Sequence, residues 1–239
     1  MALKMQNKYI NILCTRPLEP TLVADAKQQG ILIDEISFID TIPIKTVNVQ
    51  KQIEKIESQK ATIVFTSMNA VEAVADYINH QPDGWDIYCI GTTTNELVKK
   101  HFGKQAVIGT ANSAAALAQS ITKNKAIDKV IFFCGDQRRA ELPEILLANN
   151  IGITEIMVYQ TMAITHSIDK LYDGILFFSP SAVDSFFTNN IIAPSTLIFA
   201  IGETTANHIK QFCDNKIIIT EVPGKENLIR KMIEYFKQD

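Results

Sequence analysis

Several features are missing from this sequence, and each absence closes off a class of function. No block of like charge occurs: 23 Lys and Arg against 26 Asp and Glu leave a formal charge of -3. A nucleic-acid binder needs a basic footprint, and none is present. Apolar runs are short and broken by Asn, Pro or Asp, so none spans a bilayer. The amino terminus shows neither the apolar core nor the small-residue cleavage site of a secretory signal. No CxxC occurs, and Cys14, Cys89, Cys134 and Cys213 lie far apart. Three of the four close or lie within apolar runs, where a reduced thiol behaves as a small hydrophobe. A cytoplasmic location is the expectation. His80, His101, His166 and His208 lack metal-ligand spacing, which argues against a zinc site. No Ser-His-Asp or Cys-His arrangement is legible either.

What is present is a length of 239 residues, with 46% hydrophobic and 21% charged side chains. That suits a soluble globular protein of one large domain or two ordinary ones. The stronger signal is internal repetition. Phe65-Thr66-Ser67-Met68-Asn69-Ala70-Val71 recurs as Phe177-Phe178-Ser179-Pro180-Ser181-Ala182-Val183. Ile90-Gly91-Thr92-Thr93-Thr94 recurs as Ile201-Gly202-Glu203-Thr204-Thr205. A weaker pair sets Cys14 through Thr41 against Cys134 through Thr161, sharing Cys, Glu35/Glu155, Ile36/Ile156 and the final Thr. The first two pairs are offset by 112 and 111 residues, the third by 120. The repeats are thus shuffled: part of one domain, then a complete second domain, then the rest of the first.

Short apolar runs alternate with helical patterns throughout, as in α/β units with parallel sheets. Ten strands are predicted, at Tyr9–Cys14, Leu32–Phe38, Thr62–Thr66, Ile87–Ile90, Ala106–Ile108, Lys129–Cys134, Thr154–Tyr159, Gly174–Phe178, Leu197–Ile201 and Lys216–Thr220. A helix over Asn69–Ile78 would bury Val71, Val74, Ala75 and Ile78, and one over Ala182–Phe187 would bury Val183 and Phe186. Gly30 and Gly152, each between a helix and a strand, suit left-handed caps. Two sets of five strands predict two flavodoxin-like domains with parallel sheets. One is discontinuous, 1–38 plus 164–239, and the other, 43–159, is inserted. The crossings at 38–43 and 159–164 would form a two-stranded β linker, a hinge permitting domain motion.

Open parallel sheets bind ligands beyond the carboxyl ends of their strands, where every repeated motif falls. Thr66-Ser67 and Ser179-Pro180-Ser181 each follow a strand and open a helix. Gly91 and Gly202 would let the backbone turn tightly, with Thr94 or Thr205 starting the next helix. Backbone N–H groups and hydroxyls at such helix starts hold anions, and a cleft between two domains could grip a ligand from both sides. Ser, Thr and Asn in these places also serve as plain N-caps, a reading that needs no ligand. Capping alone does not call for a repeated Gly-Thr-Thr.

The set of motifs resembles the uroporphyrinogen-III synthase family. Its pieces are Thr15-Arg16-Pro17, Phe65-Thr66-Ser67 with Asn69-Ala70-Val71, Ile90-Gly91 with Thr94, and Gly135 with Arg139-Ala140-Glu141-Leu142-Pro143. Val158-Tyr159-Gln160-Thr161, Phe178-Ser179-Pro180-Ser181-Ala182-Val183 and Ile201-Gly202 with Thr204-Thr205-Ala206 complete it. Each piece is weak alone, but seven in order cover nearly the whole chain. One departure is Pro223-Gly224, where the family often has Pro-Thr opening the last helix; Gly still caps but lacks the hydroxyl.

The resemblance implies two flavodoxin-like domains joined by a β ladder. It implies a lyase of tetrapyrrole and heme biosynthesis that uses neither metal nor organic cofactor. Hydroxymethylbilane would lose its terminal hydroxyl as water, ring D would invert through a spiro intermediate, and the macrocycle would close. No nucleic acid or membrane partner is implied, and a monomer suffices. Tyr159 matches the family tyrosine given a leaving-group role; a phenol is protonated at neutral pH and can donate. The other reading of Tyr159 is a junction residue with a packed ring and a wet hydroxyl.

Candidate substrate contacts are Thr15, Arg16, Thr66, Ser67, Asn69, Gly91, Thr94, Gly135, Arg139, Ser179, Ser181, Ala182, Gly202, Thr204 and Thr205. Arg16 and Arg139, following equivalent strands, could pair propionates in bidentate fashion or lie solvated; Arg138 is the more disposable neighbour. A non-enzymatic two-lobed binding protein or sensor is the alternative. A receiver-like signalling pair is excluded by Cys14-Thr15-Arg16, which stands where a receiver needs an acidic cluster.

Overall fold

The computed structural model describes residues 9–78, 80–222 and 224–237. The chain begins with β1 (Ile10–Cys14), α1 (Pro20–Gln28), β2 (Ile31–Glu35), β3 (Ile39–Pro43) and α2 (Val47–Glu57). It continues through β4 (Ala61–Phe65), α3 (Met68–Ala75), β5 (Trp85–Ile90), α4 (Thr92–Phe102), β6 (Val107–Ala111) and α5 (Ala114–Lys123). Next come β7 (Lys129–Gly135), α6 (Glu141–Ala148) and the long β8 (Gly152–Ala163). The last elements are β9 (Gly174–Phe177), α7 (Pro180–Asn189), β10 (Leu197–Ala200), α8 (Glu203–Ile209), β11 (Ile217–Ile219) and α9 (Lys225–Lys237).

Two compact units result: one runs up to Asp40 and resumes at Met162, and the other is Thr41–Thr161. The first holds a parallel sheet in the order β11-β10-β9-β1-β2. The second holds β3-β8-β7-β4-β5-β6, in which β4 to β8 pair in parallel and β3 lies beside β8. The repeats equate β1 with β7, β2 with β8, β9 with β4, β10 with β5 and β11 with β6. Under that equation the five shared strands of the two sheets have the same spatial order. The first unit follows the flavodoxin-like order 2-1-3-4-5 along its own chain. The second has the same arrangement with its chain order circularly permuted.

Strands buried on both faces need continuous apolar runs, and these have them. Ile12, Leu13 and Cys14 of β1, Ile63, Val64 and Phe65 of β4, and Leu176 and Phe177 of β9 are all sealed from solvent. In the inserted unit Phe65 and Ile63 enter one core with Trp85, Phe102 and Phe133, while Val64 enters the other with Phe132, Leu117 and Leu146. Phe65 stacks on Phe133 at 5.5 Å and on Phe102 at 5.8 Å between ring centroids. In the discontinuous unit Phe177, Phe186 and Phe38 fill one face, and Phe199, Leu228 and Met232 the other.

Helix starts are fixed by side-chain caps. Thr46, Ser67, Ser113 and Ser179 each accept a backbone N–H of the first turn, a contact whose loss costs about 1 kcal/mol. Pro180 at the first position of α7 gives up an N–H that the helix does not use.

The described residues hold eleven strands rather than ten. The segment expected as one strand from Leu32 to Phe38 ends at Glu35, and Ile39–Pro43 forms a strand of its own. Phe38 leaves the sheet because its ring is needed in the core, against Phe186 and His166. Gly30 has the expected left-handed backbone (φ 78°), but Gly152 does not: Asn150 (φ 59°) makes that turn, and Gly152 already belongs to β8. α4 and α8 start at Thr92 and Glu203, two residues ahead of Thr94 and Thr205. Pro223 lies outside the described residues; Gly224 accepts the Leu228 N–H at 3.0 Å as the last helix begins.

All four cysteines are free, and Cys14, Cys89 and Cys134 are buried. Burial pushes their thiols up to about 12, 11 and 11 respectively. A disulfide-exchange reagent at mildly alkaline pH should therefore titrate one thiol quickly in the native protein, Cys213, and all four in guanidinium. Rapid reaction of two or more native thiols would contradict this packing.

Candidate active site

In each unit the strand order reverses at one point, between β7 and β4 in the inserted unit and between β1 and β9 in the other. Crevices at the carboxyl side of such reversals are where open α/β sheets take ligands.

At the β7/β4 reversal the sequence builds a packed phenol. The register between β7 and β8 slips after Cys134: Cys134 faces Met157, but Gly135 faces Tyr159, leaving Val158 without a partner. Such a bulge re-aims the following side chain. Val158 and Tyr159 accordingly both pack on the core of Phe65, Phe133 and Ile156. The Tyr159 ring lies directly over Gly135, where a Cβ would come within 2.7 Å of the phenol oxygen and closer to two ring carbons. Only glycine fits there. Beyond the ring, the Asp136 N–H donates to the Tyr159 carbonyl at 3.2 Å, and the Asp136 carboxylate accepts the Thr161 N–H at 2.9 Å. The strand is thus tied down on both sides of the phenol.

Ser67, whose Oγ accepts the Asn69 N–H at 3.2 Å as the cap of α3, lies near the Tyr159 hydroxyl. Burial raises the phenol above its ordinary value; the nearby Ser67 hydroxyl opposes this, and Cys134 and Asp136 add to the rise. A small cavity of about 80 Å³ opens on this phenol, with Thr41, Asn69, Glu72 and Asp76 among its walls. Asp76 pairs with Lys45 at 3.1 Å, and Glu72 is exposed. Carboxylates here repel an anion but suit an N–H donor or a developing cation.

The equivalent place in the discontinuous unit is built differently. Thr15 is buried, and its N–H and hydroxyl both donate to the Leu176 carbonyl, at 3.1 and 2.8 Å. Its hydroxyl is committed to the sheet. Arg16 stands with its guanidinium 5.6 Å from the centre of the Phe178 ring. Its Nε is shielded from water and has no hydrogen-bond partner among the described residues. A carboxylate would satisfy that donor.

Ser179 Oγ accepts the Ala182 N–H at 3.2 Å, and the Ala182 side chain is in the core, so this residue offers nothing outward. Ser181 lies in the first turn of α7, and Thr66 is half-buried before α3. Arg139 is exposed just ahead of α6, whereas Arg138 is ion-paired with Glu155.

Gly91 and Gly202 immediately precede α4 and α8. Gly91 has φ 77° and needs its glycine, while Gly202 at φ 176° is merely extended, contrary to the tight turn expected there. Around both, the space a Cβ would occupy is open, so each helix presents a bare N-terminus. Thr94 and Thr205 are the buried third residues of those helices, and Thr204 is exposed. A larger groove of about 500 Å³ runs past Lys60, Thr62, Asp86 and Lys129. It lies at the amino ends of β4, β5 and β7, the opposite side from the repeated motifs.

Glu72 and Asp76 escaped the reading of the sequence, although they follow Asn69 at three and seven residues and so share its helix face. Phe178 was read as a repeat position, a strand end and a motif residue, yet its ring carries Arg16.

Among the described residues, no helix is long and apolar enough to cross a membrane. The fold is similar to that of uroporphyrinogen-III synthetase from Helicobacter pylori, with TM-score 0.65 and 15% identity over 95% of this chain and 99% of that one. A mutant uroporphyrinogen III synthase from Thermus thermophilus gives TM-score 0.62 and 10% identity over 96% and 100%. At such identities the likeness concerns the fold. The sequence itself matches the family described as uroporphyrinogen-III synthase HemD across residues 20–230. With its motifs, its two permuted sheets and that match in agreement, the chain belongs to the uroporphyrinogen-III synthase family.

Proposed function

We propose that this chain closes hydroxymethylbilane into uroporphyrinogen III, inverting ring D and releasing water, as a cytoplasmic monomeric lyase of heme biosynthesis that needs no metal or organic cofactor. The family match over residues 20–230 is the observation that carries the reaction.

The substrate carries eight carboxylates while the protein has a formal charge of -3. Local donors resolve the mismatch: the bare starts of α4 and α8 after Gly91 and Gly202, the hydroxyls of Ser181, Thr94, Thr204 and Thr205, and Arg16 with its unpaired Nε. Arg139 adds an exposed cation. Each hydrogen bond to a carboxylate contributes about 1.5–3 kcal/mol, so a few suffice to fix the chain's conformation. Holding the two ends of a flexible molecule together supplies several kcal/mol of the barrier. Control of shape is the larger share of catalysis, because hydroxymethylbilane cyclises unaided to the type I isomer.

Tyr159 supplies the proton. As the terminal C–O bond breaks, the hydroxide leaves as water with the phenol's hydrogen. The phenolate recovers a proton from the pyrrole system when the closed macrocycle rearomatises. A pKa raised by burial keeps the phenol protonated at every physiological pH, which a donor requires.

Purified protein given enzymatically generated hydroxymethylbilane should yield predominantly the type III isomer after oxidation; type I alone, at the spontaneous rate, would refute the reaction. Tyr159→Phe should lower kcat by about a hundredfold, the low end for a positioned proton donor, with the fold intact by circular dichroism. Thr205→Ala should raise KM by about tenfold, one hydrogen bond to a carboxylate. Lys99→Ala should leave KM unchanged, since that ammonium is held by Glu96 at 2.9 Å on α4; equal effects would count against a binding role for the α8 start. Because burial raises the phenol pKa, tyrosinate absorbance from Tyr159, read as wild type minus Tyr159→Phe, should appear only at a higher pH than that of an exposed tyrosine. Ionisation near neutrality would remove the donor.

A further inference from the structure

β7 stops at Gly135, but β8 runs on to Ala163. Beyond that point the N–H groups that β8 turns toward β7 need other partners. In a parallel ladder, a residue that donates its N–H to the neighbouring strand also accepts, at its own carbonyl, the N–H two residues further along that strand. Asp136 makes the first of these bonds in the ordinary way: its N–H donates to the Tyr159 carbonyl at 3.2 Å. The second bond is made by its side chain. The Thr161 N–H donates to the Asp136 carboxylate at 2.9 Å, which fills the place of the main-chain carbonyl of a continuing strand. The backbone is thereby released to turn at Asp136 and Gln137 toward α6, while β8 keeps its partner. Short acidic side chains compete with the main chain for N–H groups in this way.

Tyr159 takes the first of these bonds at its own carbonyl, the second lies two residues on, and its ring rests against Gly135. We infer that Asp136 is a positioning residue for the reaction: its carboxylate completes the β7–β8 ladder past the end of β7 and so holds the Tyr159 phenol in place over Gly135. The inference rests on Tyr159 being the proton donor, but its geometric content can be tested separately. The discontinuous unit makes a useful contrast. Arg16 follows β1 as Asp136 follows β7, but β2 ends opposite Cys14, at Glu35. No strand runs on beside Arg16 for a carboxylate to hold, and a cation stands there instead.

The test is a double-mutant cycle on kcat with two spectroscopic controls. Asp136→Ala removes the acceptor, whereas Asp136→Asn keeps a side-chain oxygen in the same place and removes the charge. Asp136 is exposed, so both variants should fold. Asp136→Ala should lower kcat by about tenfold, the rate equivalent of one hydrogen bond, with KM within about twofold of wild type. Asp136→Asn should keep most of the wild-type kcat. In a Tyr159→Phe background, Asp136→Ala should have no further effect on kcat. A loss of the same size in both backgrounds, a loss as large in Asp136→Asn as in Asp136→Ala, or a rise in KM in place of the fall in kcat, would overturn the inference.

The controls need no turnover. Hydrogen exchange at the Thr161 amide should speed up by about tenfold in Asp136→Ala and stay near the wild-type rate in Asp136→Asn. With 3-fluorotyrosine incorporated, the Tyr159 fluorine resonance, identified by its loss in Tyr159→Phe, should move further in Asp136→Ala than in Asp136→Asn. Unchanged exchange at Thr161, or a fluorine resonance that stays put in Asp136→Ala, overturns the inference whatever the kinetics. If Tyr159→Phe keeps full kcat, the proton-donor reading falls; exchange and the fluorine resonance then decide on their own whether Asp136 holds the phenol.

Discussion

A parallel sheet has a polarity that nothing downstream can escape. Every strand ends on the same side, each following helix starts there, and its free N–H groups gather with those of its neighbours. In the proposed reading, backbone dipoles bared at Gly91 and Gly202 would stand in for the basic surface that the sequence lacks. The few cations used are local and dressed, as Arg16 is by the Phe178 ring.

The two units share this polarity and one strand order, but they elaborate it differently at the reversal point. In the inserted unit a bulge and a close-packed glycine hold a phenol. In the discontinuous unit a buried threonine closes the sheet and an arginine stands free of hydrogen-bond partners at its Nε. The proposed proton donor lies on β8 and the proposed carboxylate contact follows β1, so they stand at different places in related scaffolds: the repeat sets Ile39 against Tyr159 and Asp136 against Arg16.

Much of this was legible in the sequence because it rests on repetition and periodicity. The offset pairs Ser67/Ser179 and Gly91/Gly202 announced equivalent strand ends, and the observed sheet orders match them strand for strand. Apolar runs located the strands to within a few residues. What escaped depended on local geometry that residue type does not encode. Glycine at 152 looked like a cap, but Asn150 tolerates the left-handed region and took the turn two residues earlier. Gly202 looked like Gly91, yet its backbone is extended. Thr15 looked like a ligand contact, and its hydroxyl went to the neighbouring strand instead. The slip at Cys134 is a count of hydrogen bonds between two strands, invisible in either alone, and it decides where Tyr159 points.

The permuted strand order also sets a timetable for synthesis. Residues up to Asp40 include β1 and β2, but their sheet partner β9 starts only at Gly174. A two-stranded parallel pair is not stable by itself, so the first strands leave the ribosome with one edge of β1 unsatisfied. The inserted unit, complete by Thr161, can close in the meantime. The apolar strand Ile10–Cys14 therefore waits for more than half the chain to be made, and it is the segment a chaperone has most reason to hold.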